Sequence, residues 1–188
     1  TINTVAPSIM KFGSDEQKAF FLPKILAGEI HFCIGYTEPD AGTDLAALKT
    51  RAVRDGDDYV INGQKVYTSL AGDADYIWLA ARTDPDAPKH KGISLFIVPI
   101  GTPGVRVDPM DLMSDHDINT VFYDDVRVPA ANLVGGENNG WKLITNQLNH
   151  ERVTLCSVGI VEQCYTQCRD WAARTKLPDG RRVIEPRV

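Results

Sequence analysis

Two places in the chain put reactive groups where simple packing would not need them. The first is Gly35-Tyr36-Thr37-Glu38-Pro39-Asp40-Ala41-Gly42-Thr43-Asp44, which follows the apolar run Phe32-Cys33-Ile34. Pro39 removes a backbone donor and fixes φ, and Gly42 permits angles that a side chain resists. Thr37, Thr43 and Asp44 add hydroxyls and a carboxylate. A loop of this make-up at a strand end suits a polar planar ring or a phosphate, although a turn that is only a turn has the same composition. The second place is Glu151, seven residues after Ile144 and four before Leu155. It falls within the repeat Trp141, Ile144, Leu148, Leu155 and Val158, whose helical spacing makes one apolar stripe. A carboxylate there is expected to be partly desolvated, which strengthens it as a base. A structural ion pair, with Arg152 or with an arginine elsewhere, would account for the same residue.

The elements that must position these groups change character along the chain. Residues 1–29 read as helical, with Ser14 and Gln17 as a capping box, Pro23 as a kink or restart, and Gly28 as the stop. From residue 30 to about residue 134 the signals are those of strands. Residues 49–54 alternate, Asp55-Gly56-Asp57-Asp58 turns into Tyr59-Val60-Ile61, and Asn62-Gly63 is a further turn signal. Residues 76–81, 93–99 and 121–128 are short apolar runs, the last ended by Pro129. Strands this short with turns this frequent predict a small antiparallel β-sandwich or barrel, here set between helical segments in an α+β chain. Gly135-Gly136-Glu137-Asn138-Asn139-Gly140 reads as a hinge-like linker, followed by one long helix over residues 141–174 and a basic, turn-forming tail from Lys176 to Arg182. The domain division expected is 1–29, 30–136 and 137–188.

Composition narrows the function classes. The 188 residues carry 20 basic and 25 acidic side chains, net −5, which argues against a nucleic-acid surface. No apolar run approaches the roughly 18 residues of a membrane span, and no secretory leader is visible. Of the four cysteines, Cys33 lies in an apolar run and the others on the long helix. Cys164 and Cys168 stand one turn apart, but no histidine joins them at ligand spacing, so free thiols are expected rather than a metal site.

Several stretches, taken in order, resemble the acyl-CoA dehydrogenase flavoproteins. Tyr36-Thr37-Glu38-Pro39-Asp40-Ala41-Gly42-Thr43-Asp44 is similar to that family's T-E-P-x-A-G-[ST]-D signature. Leu22-Pro23-Lys24-Ile25-Leu26-Ala27-Gly28-Glu29 precedes it, and Tyr59-Val60-Ile61-Asn62-Gly63-Gln64-Lys65, Lys91-Gly92-Ile93-Ser94-Leu95-Phe96 and Asp125-Val126-Arg127-Val128-Pro129 follow in the family's order. Members are considerably longer chains, so a fragment is expected: the end of one helical domain, the central β domain and the start of another helical domain.

The resemblance implies FAD as cofactor and α,β-dehydrogenation of an acyl-CoA thioester, from a fatty acid or a sterol side chain. Tyr36 and Thr37 would meet the flavin edge, and Gly42 and Thr43 would lie at the pyrophosphate and substrate. Tyr67 stands where the family stacks a tryptophan on the ring, and Ser69 where it has a threonine, although as bare sequence the two read as an ordinary strand pair. Leu148-Asn149-His150-Glu151-Arg152 is similar to the L-x-x-E-R motif of isovaleryl-type members, which makes Glu151 the candidate base and brings Arg152 toward CoA. The implied partners are an electron-transfer flavoprotein and further subunits of a homo- or hetero-tetramer, in the cytoplasm or, in a eukaryote, the mitochondrial matrix. Two stretches depart from the pattern. Met113-Ser114-Asp115-His116-Asp117-Ile118-Asn119-Thr120 only loosely echoes I-R-G-S-D-T, and Gly180-Arg181-Arg182 stands where Q-F-G, which holds a neighbour's FAD, is usual. These departures leave open a flavin-poor structural subunit of a hetero-oligomer, and an oxidase of the same fold also remains open. The Asn-His-Glu-Arg run and the Pro-Asp-Gly-Arg-Arg tail resemble actinobacterial members, some of which act on sterol side-chain thioesters.

Overall fold

A computed structural model describes residues 1–113, 117–151 and 156–185. Two compact units divide the chain, Thr1–His150 and Glu151–Val188. In the first, helices α1 (Val5–Phe12) and α2 (Asp15–Ala27) precede strands β1 (Phe32–Gly35), β2 (Arg51–Asp55), β3 (Asp58–Ser69), β4 (Tyr76–Arg82), β5 (Ile93–Pro99), β6 (Val105–Pro109), β7 (Ile118–Pro129) and β8 (Leu133–Val134). Helix α3 (Gly140–Glu151) follows, and the second unit holds α4 (Cys156–Arg174). The expected single helix over residues 141–174 is therefore helical on both sides of residues 152–155, which lie outside the described residues.

Helix α2 begins as its sequence predicts. Ser14 Oγ accepts from the Gln17 amide, and Gln17 Oε1 accepts from the Ser14 amide, each at 3.1 Å. Gly28 ends it at φ 74°, with its amide on Ile25 and that of Glu29 on Lys24. Pro23 does not restart it as a separate element: α2 continues through it. Pro23 and Ala19 both lie on the exposed face, so water can take the carbonyl that the missing proline N–H leaves without a helical partner.

The strands form one sheet in the order β6-β7-β3-β2-β4-β5-β8, with β1 beside β4. Its pairings are antiparallel except for β1 on β4 and a single parallel step, Arg51 opposite Arg82, between β2 and β4. The α+β architecture is thus as the sequence suggests, with a parallel element that local alternation does not reveal. Strand periodicity then builds two cores. Ile77, Leu79 and Ala81 of β4 and Phe96 and Val98 of β5 face Tyr59, Ile61, Val121, Val126 and Val128 of β3 and β7. The alternate residues Trp78, Ala80, Ile93, Leu95 and Ile97 face the helices, meeting Val5, Ile9, Phe21, Ile25, Leu143 and Ile144. Strands covered on both faces need continuous apolar sequence, as β4 and β5 have. Each large side chain so buried stabilises by about 1.5–3 kcal/mol.

Asn62-Gly63 is not a turn. Strand β3 runs through it, and the register with β7 shifts between Ile61 and Gly63, opposite an extra residue at Asp124-Asp125. Asn62 bonds Asp125 twice, side chain to side chain at 2.9 Å and from the Asp125 amide at 3.0 Å. Gly63 has φ 147°, and a Cβ there would sit 2.6 Å from Thr50 Oγ1 and 2.7 Å from Thr50 Cα. Gly63→Ala in the full-length protein is expected to cost about 1–3 kcal/mol, read as a lower denaturant midpoint at unchanged m-value.

The linker over residues 135–140 carries its own hydrogen bonds. Asn139 Nδ2 donates to the Gly135 carbonyl at 2.9 Å, and the Asn138 amide donates to Ser94 Oγ at 2.8 Å. In the second unit, α4 leaves Val158, Ile160, Val161, Tyr165 and Trp171 exposed, and the chain after it folds back with the Val183 amide on the Thr175 carbonyl.

Candidate functional site

The loop after β1 is fastened at three consecutive residues. Lys65 Nζ, fully buried, donates to the Tyr36 carbonyl at 3.0 Å; the Val66 amide donates to the Thr37 carbonyl at 2.9 Å; and Lys65 Nζ reaches Glu38 Oε1 at 2.7 Å. Glu38, only 6% exposed, also accepts the amides of Lys49 at 2.6 Å and Thr50 at 2.9 Å. Glu38 and Ala41 close the turn with reciprocal amide–carbonyl bonds of 3.1 Å. Burial pushes the Glu38 carboxyl upward, but the Lys65 charge and the donated hydrogen bonds outweigh it and hold the group below the usual carboxylate range. Burial pushes the Lys65 ammonium down to about 8, against the pull of Glu38.

One residue beyond this anchor β3 bulges. Between Lys65 and Thr68 it carries one residue more than β7, and Tyr67 takes φ 57°. The outcome is an aromatic ring turned outward, 64% exposed, with Thr68 buried and Ser69 exposed beside it. A non-glycine residue in the left-handed region and a large ring left in solvent are each unfavourable alone. Leu70, at φ 58°, continues the irregular path, and Asp117 and Asn119 hold it. The Leu70 amide donates to the Asp117 carbonyl at 2.7 Å, the Gly72 amide to Asp117 Oδ2 at 3.0 Å, and Asn119 Nδ2 to the Thr68 carbonyl at 3.3 Å.

The two stretches singled out for a ring are thus brought together by the Lys65-Val66 step. The Tyr36 side chain itself belongs to the interior: its phenol donates to Gln147 Oε1 on α3 and accepts from Trp78 Nε1 at 3.0 Å. Thr37 is half-buried, while Gly42 and Thr43 are exposed, and Asp44 pairs with Lys89 at 2.7 Å. Thr37, Thr43 and Ser69 carry hydroxyls on these two stretches, and Tyr67 leaves an aromatic face exposed.

Glu151 closes α3 and its side chain is exposed. The partial desolvation expected from the stripe is therefore not found in this chain; the buried positions of α3 are Gly140, Leu143, Ile144 and Gln147, with Trp141 and Leu148 half-buried. The helix turns its covered face through Gln147, and Glu151 comes after the last turn that the sheet unit buries. Arg152 and three residues of the loose I-R-G-S-D-T echo, Ser114, Asp115 and His116, lie outside the described residues. Cys33, Cys164 and Cys168 are free thiols, and among the described residues no group of three or more His, Cys, Asp or Glu is placed to hold a metal ion. Among the same residues no helix is long and apolar enough to cross a membrane.

Reading the sequence for motifs passed over Glu38 and Lys65 as a pair. The signal available was a lysine on the inward face of β3, in line with Tyr59 and Ile61, where an apolar residue is the rule.

Comparison with known proteins bears on the family and the fold. Residues 33–126 match the family model of the acyl-CoA dehydrogenase middle domain, and residues 138–187 that of the acyl-CoA dehydrogenase C-terminal domain. The chain is 58% identical to acyl-CoA dehydrogenase FadE26 of Mycobacterium tuberculosis over 98% of its own length and 47% of that protein's. Against the ChsE4-ChsE5 complex from Mycobacterium tuberculosis the TM-score is 0.87 at 58% identity, covering 99% of this chain and 48% of the matched one. Against the Tcur3481-Tcur3483 steroid ACAD it is 0.83 at 53% identity, covering 90% and 45%. The chain thus spans about half the length of the relatives it matches. On the matching family models and on the fold they share, the chain belongs to the acyl-CoA dehydrogenase family.

Proposed function

We propose that this chain is the central part of an FAD-dependent dehydrogenase that introduces an α,β double bond into an acyl-CoA thioester. The observation that carries the reading is the strained, outward-turned Tyr67 beside Ser69, fastened through Lys65 and Val66 to the Tyr36-Thr37 loop. Strain of about 1–3 kcal/mol at an exposed aromatic persists where it serves a ligand. Tyr36 would hold the ring edge through its backbone, Thr37 and Ser69 through their hydroxyls, and Tyr67 by its face. Gly42 and Thr43 would lie toward the pyrophosphate. FAD, when bound, supplies the acceptor for the hydride leaving the β-carbon. Glu151 takes the α-proton, and bound thioester together with the remaining length of the protein is what excludes water from it. Arg152 would offer its charge to the CoA phosphates.

The finer reading follows the relatives. The names of these two structural matches, a ChsE4-ChsE5 complex and the Tcur3481-Tcur3483 steroid ACAD, support a steroid-type substrate and a hetero-oligomer; a sterol side-chain thioester and a tetramer are the finer form of the proposal. The domain division at residues 29/30 and 136/137, an electron-transfer flavoprotein as oxidant and a cytoplasmic location belong to the same proposal. One observation favours a second reading, a flavin-poor structural subunit: Gly180-Arg181-Arg182 stands where Q-F-G would reach a neighbour's cofactor.

Full-length protein purified with and without the product of a neighbouring gene separates the readings. A flavin absorbance band, bleached without oxygen by a sterol side-chain acyl-CoA, is expected from at least one preparation. Colourless protein in both sinks the flavin site. Hydrogen peroxide released in step with substrate would make it an oxidase.

A further inference from the structure

The proposal rests on the flavin reading and concerns what sets the flavin loop in place. Lys65 leaves the inward face of β3 immediately before the bulge that presents Tyr67. Its ammonium is wholly buried, and Glu38 is nearly so, with the two atoms 2.7 Å apart. A pair of this kind is a poor source of stability, because taking both charges out of water offsets most of their attraction; an apolar pair of similar volume is often as stable or more so. What charges and directed hydrogen bonds provide that an apolar contact does not is register. Here the bonds run in three directions from two side chains. Lys65 holds the Tyr36 carbonyl and Glu38; Glu38 in turn holds the amides of Lys49 and Thr50, at the entry to β2. Thr37 lies between the two anchored residues, and its carbonyl is taken by Val66. The two arms of the site, residues 36–37 and 67–69, therefore share one fixed origin.

We propose that Glu38 and Lys65 are positioning residues of the flavin site: their ion pair fixes the Tyr36-Thr37 arm against the Tyr67-Ser69 arm, and flavin affinity and redox poise depend on it more than folding does. Neither side chain is asked to touch the ring. The need is for placement, since a site loosened by about 1 Å can lose on the order of 10²-fold in function.

The test uses full-length protein with whichever partner it needs, stripped of cofactor and titrated with FAD. The double variant Glu38→Leu/Lys65→Met replaces the pair by apolar volume, and Glu38→Gln keeps the volume and one acceptor oxygen. The denaturant midpoint, FAD affinity, visible circular dichroism of the flavin and its reduction potential are read for each. The expected result is a double variant whose midpoint falls less than that of Glu38→Ala, since no charge is stranded, yet whose folded fraction binds FAD roughly 10- to 100-fold more weakly, with a changed flavin dichroism and a shifted potential. Wild-type affinity, dichroism and potential in a folded double variant would overturn the proposal. So would a loss of affinity that vanishes once it is scaled to the folded fraction, and so would failure of both variants to fold, since the pair would then be a stability element. Wild-type protein that takes up no FAD, alone or with its partner, would instead bring down the flavin reading itself.

Discussion

Glu151→Gln in the full-length protein is expected to keep FAD and to bind acyl-CoA, while substrate-dependent reduction of the flavin slows by on the order of 10²–10⁴-fold. The α-proton of a thioester leaves only if a group in reach accepts it, and glutamine has the size of glutamate without that capacity. Glu151 is the last residue of α3, the helix whose earlier turns are fixed on the sheet unit through Leu143, Ile144 and Gln147. Glu151 is exposed in this chain, so on the proposed reading its surroundings would be completed by the thioester and the rest of the protein. Anaerobic stopped-flow reduction by a sterol side-chain acyl-CoA checks the expectation. Reduction at the wild-type rate would move the base to the part of the protein outside this chain and leave Glu151 a helix-end carboxylate.

Glu38→Ala is expected to destabilise the protein by about 3–5 kcal/mol, the usual cost of stranding one charge of a buried pair. The ammonium of Lys65 would remain with no exposure and one neutral acceptor, the Tyr36 carbonyl, and the amides of Lys49 and Thr50 would lose theirs. Urea unfolding should show a lower midpoint, and tryptophan fluorescence should follow the core, where Trp78 lies fully buried. The wild-type pH profile carries a matching signature. The Glu38 carboxyl is held below its ordinary value of 4.5 in the folded state, so the unfolded chain binds its proton first as pH falls. The contribution is complete above that ordinary value and disappears as pH drops through the lower, folded one. Glu38→Gln should remove this part of the acid dependence; an unchanged acid limb would mean that other carboxylates govern it.

Much of the fold could be read from the sequence because it is written in local chemistry. Ser14 and Gln17 cap α2 within one turn of each other, Gly28 permits the left-handed stop, and the runs at β4 and β5 are apolar because both of their faces are covered. The order of short motifs pointed to the family and to the loop after β1 in the same way. Tertiary structure alone decided how the pieces meet. Pro23 could stay inside α2 because its face looks to water, and Asn62-Gly63, a turn signal by composition, became a bulge once β7 lay alongside. The side chain of Tyr36 went to Trp78 and Gln147, 42 and 111 residues away. Lys65 found Glu38 across 27 residues. A sequence fixes which groups can donate, accept or avoid water, since these are properties of single residues and near neighbours. Which partner each one meets depends on strand register and on which face of the sheet is covered, and those are settled only when distant segments pack.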